Sequence, residues 1–217
     1  TGNTAWTVSA YAMAEGYDVS DWAEFDTPTS RLLSEPGGSQ DSTTFDFVIA
    51  PDDSVEPGTI DIYIQGRAGS NVGCESILRV TLGQVRDASL SLTQPTLSNV
   101  QPGATESTSI QITNTGNGQD TYALGVTNLP PGWQVDLSTN SVTVDGRHCT
   151  TSSNCDRVYV QAQITVPISG KAGVEFPIIF TVSSSGVTHD EVSVVVTVAP
   201  VHSGSMDFSS DSQTGRF

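Results

Sequence analysis

The sequence repeats itself at a spacing of 116 residues. "EGYDVS" (15–20) aligns with "PGWQVD" (131–136), so a glycine, an aromatic residue and a valine recur at matching places. Alternate strand positions also match, since Ile60, Ile62 and Ile64 align with Phe176, Ile178 and Phe180. None of these pairs needs a gap. The repeat predicts two copies of one fold, which constrains the architecture more than any single motif.

The pattern within each copy is that of an all-β protein. Twenty glycines and eleven prolines punctuate short runs of β-branched residues such as "DEVSVVVTV". The second copy contains roughly seven or eight such runs between turn signals, which predicts an immunoglobulin-like β-sandwich. We assign this sandwich to residues 87–202, the second repeat, and the first repeat to residues 1–86.

The two repeats are out of phase with the ends of the sequence. Residues 87–116 have no counterpart before Thr1, so the first sandwich is expected to be incomplete and to lack its first two strands. Residues 203–217 align with 87–101 and are either the start of a third repeat or a tail that donates a strand to a neighbouring molecule. Because that tail matches only the opening strand, a longer array is favoured over donation alone. The predicted partners are copies of the protein or further repeats of the same chain.

Four aromatic residues mark the predicted cores. At the 116-residue spacing Trp6 aligns with Tyr122, and Tyr17 aligns with Trp133. All four lie in patterns of alternating apolar residues, which favours core packing over ligand stacking. We therefore predict them to be core anchors.

The charge of the chain is strongly negative. Twenty-four aspartates and glutamates face eight lysines and arginines, for a net charge of −16. Such a surface repels phosphate backbones and excludes nucleic acid as a partner. Solvation of an extracellular surface explains the acidity better than Ca²⁺ binding, because no loop has the ligand spacing of a calcium site, and no cofactor is predicted. No apolar run approaches the length of about 18 residues needed to span a bilayer, so no membrane insertion is predicted.

The three cysteines indicate the compartment. Cys149 and Cys155 lie in "GRHCTTSSNCDR", between two predicted strands, where the first repeat has the ready turn "SEPGG". A disulfide there is favoured over a zinc site, because His148 and Asp156 alone do not complete a ligand set. A disulfide implies an oxidising, extracytoplasmic setting. Cys74 is left over, and it is either free or paired with a residue of the missing strands.

Catalytic patterns are absent from the sequence. His148, His189 and His202 are scattered, with no HExxH motif and no serine elbow around them. "THDE" (188–191) places acidic residues beside His189, but neighbours on a regular strand point to opposite faces. We interpret this stretch as a solvated strand edge and predict that the chain is not an enzyme.

One stretch of the second repeat resembles a known family. "ITNTGNGQDTYALGVTNLPPGWQVDL", a "PISGKAG" turn and "FPIIFTVSSSG" resemble the immunoglobulin-like domain found beside carbohydrate-binding modules in bacterial alpha-galactosidases. Related repeats stud large bacterial and archaeal cell-surface proteins. The resemblance covers the second repeat throughout and the first repeat from its third strand onward. It implies a spacer, stalk or assembly role and transfers no catalytic residue.

Two hypotheses for the function follow. The first is a structural repeat unit of an extracellular filament, surface layer or other large cell-surface protein. The alternative is a carbohydrate-binding accessory or spacer module of a secreted glycosidase, with a cell-surface glycan as its ligand. A binding module needs exposed aromatic side chains, and Trp22 and Phe25 in "SDWAEFDTP" are the candidates because they fall outside the core-type positions.

Overall fold

A computed structural model of the protein describes residues 6–16, 18–19, 22–34, 36–39, 41–53, 55–147, 149 and 155–201, with the backbone alone for residues 6–11. The chain divides into two compact units. Unit 1 comprises the described residues up to Ala88 together with Thr113–Thr121 and Thr143–Val158. Unit 2 comprises Ser89–Ile112, Tyr122–Val142 and the described residues from Tyr159 onward. The boundary proposed after residue 86 concerns the sequence repeats and stays a prediction, and the tail 203–217 lies outside the described residues.

The described part of the first repeat forms six strands in two sheets. The strands are β1 (Trp6–Ala14), β2 (Ala23–Phe25), β3 (Ser30–Leu33), β4 (Phe47–Ile49), β5 (Gly58–Ala68) and β6 (Asn71–Leu82). One sheet has the order β3-β1-β5-β6, and β2 pairs with β4 in the other. All of these pairings are antiparallel.

The second repeat forms nine strands in two sheets. The strands are β7 (Ala88–Leu92), β8 (Thr96–Val100), β9 (Thr105–Asn114), β10 (Asp120–Thr127), β11 (Gln134–Leu137), β12 (Ser141–Val144), β13 (Arg157–Thr165), β14 (Glu175–Ser184) and β15 (Val187–Val198). One sheet has the order β12-β10-β14-β15-β8, and the other has the order β11-β13-β9-β7. The predicted all-β, immunoglobulin-like architecture is confirmed.

The opening stretch of the second repeat divides between the two sheets. β7 pairs with β9 in one sheet, whereas β8 lies parallel to β15 in the other. The strand pattern is interrupted at Pro95, because proline has no N–H to donate to a β-ladder. The Pro95 carbonyl accepts a hydrogen bond from the Val195 N–H at 2.9 Å. Residues 87–116 therefore hold three strands rather than the predicted two. Among the described residues, the first repeat has no counterpart of β7, β8 or β9.

The core of the second repeat lies between its two sheets. Alternate residues of the central strands point inward, as the period of two requires. Trp133, just before β11, packs on Phe176 of β14 with ring centroids 4.9 Å apart. The largest side chains that are fully buried there are Tyr122, Phe180, Ile110, Ile112, Ile164, Ile178, Val160, Val166, Val182, Val194 and Val196. Of the predicted anchors, Tyr122 is fully buried and Trp133 is 6% exposed.

The core of the first repeat is smaller. Its buried cluster consists of Val19, Trp22, Ile60 and Ile62. Half-buried apolar residues surround this cluster, including Ala12 and Ala14 of β1, Ile49 of β4, and Val80 and Leu82 of β6. The side chain of the predicted anchor Trp6 is not described, and Tyr17 lies outside the described residues.

Candidate interaction surface

The last hairpin of each repeat has the same register. In the first repeat Thr59 pairs with Thr81, and in the second Glu175 pairs with Thr197, each 116 residues further on. Both hairpins also carry a register shift at matching places, between Gly66 and Arg67 in β5 and between Val182 and Ser183 in β14. Because a slip of one residue would turn every side chain to the other face, this match makes β6 and β15 directly comparable.

In the second repeat, the inner face of β15 is covered. β8 runs parallel to β15, with Leu97 opposite Val196 and Val100 opposite Val198. β7 is held by its Leu90 N–H, which donates to the Asp190 carboxylate at 2.7 Å. As a result, Val194 and Val196 are 0% exposed and Val198 is 1% exposed.

In the first repeat, the matching face is open. Leu78, Val80 and Leu82 occupy the places of Val194, Val196 and Val198, and we call these three residues the open face of β6. Leu78 is 37% exposed, and Val80 and Leu82 are half-buried. β6 is also the last strand of its sheet within the described residues, so its outer edge has no strand beside it there. The edge exposes backbone hydrogen-bonding groups next to an apolar strip.

A cleft at the start of β6 contains the free thiol. The cleft has a volume of about 330 Å³, and Cys74, Gly66 and Phe45 are among its lining residues. Cys74 is exposed and is not in a disulfide. It pairs with Gly66, as Asp190 pairs with Val182 in the second repeat. Cys74 therefore occupies the place of the carboxylate that holds β7.

The outward face of the same hairpin carries an ion pair. Arg79 of β6 donates to both carboxylate oxygens of Asp61 on β5, at 2.8 and 2.9 Å. This hydrogen bonding lowers the pKa of the Asp61 carboxyl and raises the pKa of the Arg79 guanidinium. The pair is solvated, and its charges lie on the side opposite to the open face because 61 and 79 have the other strand parity.

Turn residues of the second repeat anchor the end of the first within unit 1. The Asn117 amide donates to the carbonyls of Val55 and Gly83, at 3.0 and 3.1 Å, and its oxygen accepts from the Val85 N–H at 2.7 Å. Asn117 is buried, so these bonds satisfy all of its main polar capacity. Arg147 extends the same contact by pairing with Asp53.

A disulfide joins Cys149 to Cys155, with their Cα atoms 6.1 Å apart. It closes a short loop that lies between β12 and β13. Next to it, Arg157 donates to both oxygens of Asp156, at 3.0 and 3.1 Å, which lowers the pKa of that carboxyl. His148, the remaining candidate for a metal ligand in this loop, lies outside the described residues.

Trp22 is a core residue, and its interpretation as an exposed aromatic was wrong. It is 7% exposed, and its indole N–H donates to the carbonyl of Asp18. An insertion in the first repeat explains the wrong interpretation. Gly16 and Gly132 both adopt a left-handed turn conformation, with φ of 79° and 82°. The next tryptophan follows six residues after Gly16 but only one residue after Gly132. The ungapped alignment therefore placed Tyr17 opposite Trp133. Phe25, the other candidate, is half-buried against Phe47, with ring centroids 5.5 Å apart.

The 116-residue spacing also fails in two other strands. The pairing of Ala10 with Gly66 and of Leu124 with Val182 relates β1 to β10 by 114 residues, so Trp6 does not match Tyr122. In β4, Val48 is 67% exposed although it aligns with the fully buried Ile164. Insertions in the loops account for both differences, whereas the β5–β6 hairpin keeps the constant spacing.

The "THDE" stretch is a solvated strand edge only in part, because Thr188 and Glu191 are exposed whereas His189 and Asp190 are half-buried. β15 has a bulge between Thr188 and Asp190, and a bulge redirects the side chain of its extra residue. His189 lies there, half-buried, with its Nε2 2.8 Å from the Ser184 hydroxyl and its ring edge-on to Tyr122. These partners give His189 a packing role. Sequence alternation alone could not reveal the bulge.

The described part of the chain contains neither a candidate metal site nor a candidate membrane-spanning helix. No group of three or more His, Cys, Asp or Glu side chains is arranged to hold a metal ion. No helix there has the length and apolar character needed to cross a membrane.

The sequence matches no protein-family model and no curated protein. Three solved structures illustrate its structural neighbours. Domains 4 and 5 of the S-layer protein SbsC align with a TM-score of 0.36 and 16% identity, over 66% of this chain and 66% of that one. A PapD-like domain of human CEP192 aligns with a TM-score of 0.36 and 8% identity, over 53% of this chain and 87% of that one. WR4, a C. elegans MSP family member, aligns with a TM-score of 0.33 and 14% identity, over 51% of this chain and 97% of that one.

Likeness at this level carries no information about function. None of these three structures is an alpha-galactosidase, so the resemblance to alpha-galactosidase-associated domains stays a prediction.

Proposed function

We propose that the protein is a non-catalytic structural repeat unit of a large extracellular or cell-surface assembly, built as a tandem array or through strand complementation. The observation that carries this proposal is the matched pair of last hairpins, in β5–β6 and β14–β15. They share one register and one bulge position, yet among the described residues no strand lies beside β6 as β8 lies beside β15. Repeated sandwiches of this kind are how extended arrays are encoded.

Two further features support an extracellular setting, and a third supports the array. The disulfide between Cys149 and Cys155 suits an oxidising compartment. The charge of −16, with a single lysine at Lys171, suits a polymer that has to stay soluble outside the cell. The turn residue Asn117 joins the end of one repeat to the next through three hydrogen bonds, as a stiff array requires.

The carbohydrate-binding alternative loses its motivating residues. Trp22 is buried and Phe25 is half-buried, and Tyr159 alone is mostly exposed among the aromatic side chains that the structure describes. A pull-down on insoluble polysaccharides tests this alternative directly, and retention of the protein would favour it.

The main test is made on material from the native source. We expect the intact mass to exceed that of the 217-residue chain, or electron microscopy to reveal a lattice or filament that contains it. A native monomer of this length with no lattice or filament contacts would contradict the proposal.

A further inference from the structure

The outer edge of β6, next to its open face, corresponds to the edge of β15 that pairs with the parallel strand β8. We propose that a strand pairs with β6 there and that this strand comes from a further repeat, from an opening segment with the chemistry of residues 87–114. The inference rests on the proposed function as a repeat unit and adds to it the acceptor strand, the register and the identity of the donor.

The acceptor face is uncharged over its whole inward side and apolar in its second half, from Leu78 to Leu82. The inward residues of β6 from the bulge onward are Cys74, Ser76, Leu78, Val80 and Leu82, and none is charged. The charged residues of this stretch, Glu75 and Arg79, lie on the other face. A sheet edge meant for water usually carries an inward charge, a proline or a short strand. β6 instead extends over 12 residues.

The register of the missing strand follows from the second repeat. Leu97 and Val100 of β8 lie opposite Val196 and Val198. At the 116-residue spacing of the hairpins, the incoming strand should place one apolar residue opposite Val80 and another opposite Leu82. The N–H of Arg79 should then bond to the residue before the strand, as the Val195 N–H bonds to the Pro95 carbonyl.

The tail of a second copy is a poor donor for this place. At the same spacing, Leu97 and Val100 correspond to Gln213 and Arg216 in the tail. Burial of these polar side chains against Val80 and Leu82 would cost free energy without providing partners for them.

The sheet registers also indicate where such a segment would join the chain. The sheet registers relate β1 to β10 by 114 residues. That spacing aligns Thr1-Gly2-Asn3 with Thr115-Gly116-Asn117, the turn that leads from β9 into β10. A residue joined to Thr1 would thus match Asn114, the last residue of β9. A segment joined there would match β7, β8 and β9 of the second repeat in sequence position.

The test fuses a second copy of residues 87–114 directly to Thr1 of the full chain, which restores the native junction "QITNTGN". A control fusion carries Leu97→Asp and Val100→Asp in the added copy only. A second control keeps the added copy unchanged and carries Val80→Asp in the acceptor. Hydrogen exchange of β6 and the alkylation rate of Cys74 are measured, with exchange of β15 as the internal reference.

We expect the unmodified fusion to slow both exchange in β6 and alkylation of Cys74 by at least about tenfold relative to the unfused chain. Both aspartate controls should lose this protection while β15 exchanges as before. Equal β6 exchange in the unmodified fusion and in the control fusion would overturn the inference.

Other donors give different outcomes. If β6 in the unfused chain becomes protected as protein concentration rises, a second copy fills the face and the inference is wrong. It is also wrong if deletion of residues 203–217 from the unfused chain accelerates exchange in β6, because the tail then covers it. If the fusion fails to protect β6, this inference is wrong but the proposed function is not contradicted. A native 217-residue monomer would contradict the proposed function even if the fusion protects β6.

Discussion

Replacement of Trp22 by alanine tests whether this residue holds the first core together. The indole packs with Val19, Ile60 and Ile62, and it is 7% exposed. A buried aromatic side chain removes roughly 150–250 Å² from water, which at about 25 cal/mol per Å² corresponds to roughly 4–6 kcal/mol. Measured Trp→Ala and Phe→Ala costs in cores are about 3–5 kcal/mol. Because the first core is small and open on one side, we expect about 3 kcal/mol.

Hydrogen exchange followed by mass spectrometry locates this loss within the chain. A cost of about 3 kcal/mol should accelerate exchange in β5 by roughly a hundredfold, since about 1.4 kcal/mol corresponds to a factor of ten. Exchange in β14, which belongs to unit 2, should stay unchanged. The matched control is Trp133→Ala, whose indole is 6% exposed against Phe176 and which should have the reverse effect.

Two results would refute this reasoning. One is an increase of less than about fivefold in β5 exchange for Trp22→Ala, which would mean that the side chain contributes under about 1 kcal/mol. The other is a folded Trp22→Ala variant that loses binding to a polysaccharide retained by the wild-type chain. That outcome would restore the carbohydrate-binding interpretation of this residue.

Three further predictions concern the surroundings of the second repeat's turns. Non-reducing peptide mapping should find Cys149 joined to Cys155 and Cys74 joined to neither, and the double replacement by serine should cost about 2–3 kcal/mol of unit 1 stability, as expected for so short a loop. Asn117→Ala removes the hydrogen bonds to Val55, Gly83 and Val85, and it should lower the local free energy of unfolding by about 2–4 kcal/mol. Hydrogen exchange at residues 83–85 measures this loss. A loss under about 0.5 kcal/mol would mean that these bonds are not formed. NMR titration should place the pKa of Asp156 below the ordinary aspartate range. The contribution of this carboxylate to stability is therefore present above the unfolded pKa of about 3.9 and is lost as pH falls through the lowered folded pKa. Arg157→Gln should return the pKa of Asp156 to the ordinary range.

The sequence predicts the fold class well, because alternation and turn residues act locally. Strand faces in β14 and β15 follow from the apolar period, and the two buried anchors Tyr122 and Trp133 follow from aromatic positions within it. The misses share a different cause. The five extra residues between Gly16 and Trp22 shift an ungapped alignment and hide the core position of Trp22, whereas the prediction for Tyr17 lies outside the described residues and stays a prediction. Pro95 offered a usable signal for the break between β7 and β8, since proline is excluded from strand interiors.

Other features depend on contacts that no local pattern encodes. The bulge at His189 arises from the pairing of β14 with β15, and it gives that side chain partners on Ser184 and Tyr122. The contacts of Asn117 join segments more than 30 residues apart in sequence. Alternation identifies which face of a strand is apolar, but neighbouring strands decide whether that face is covered.

Replacement of Val80 and of Val196 distinguishes the apolar character of a strand face from the covering of that face by neighbouring strands. Both are valines at equivalent places, opposite Ile60 in β5 and Phe176 in β14. Val196 is 0% exposed and β15 pairs with β8 there, so Val196→Ala should cost about 2–3 kcal/mol from two lost methyl groups and the cavity they leave. Val80 is only half-buried, so Val80→Ala should cost about 1 kcal/mol or less, because water already reaches that face and no closed cavity forms. Both costs are measured by exchange in the local hairpin. Equal costs would mean that Val80 is covered in the free chain, and the description of β6 as an open acceptor would be wrong.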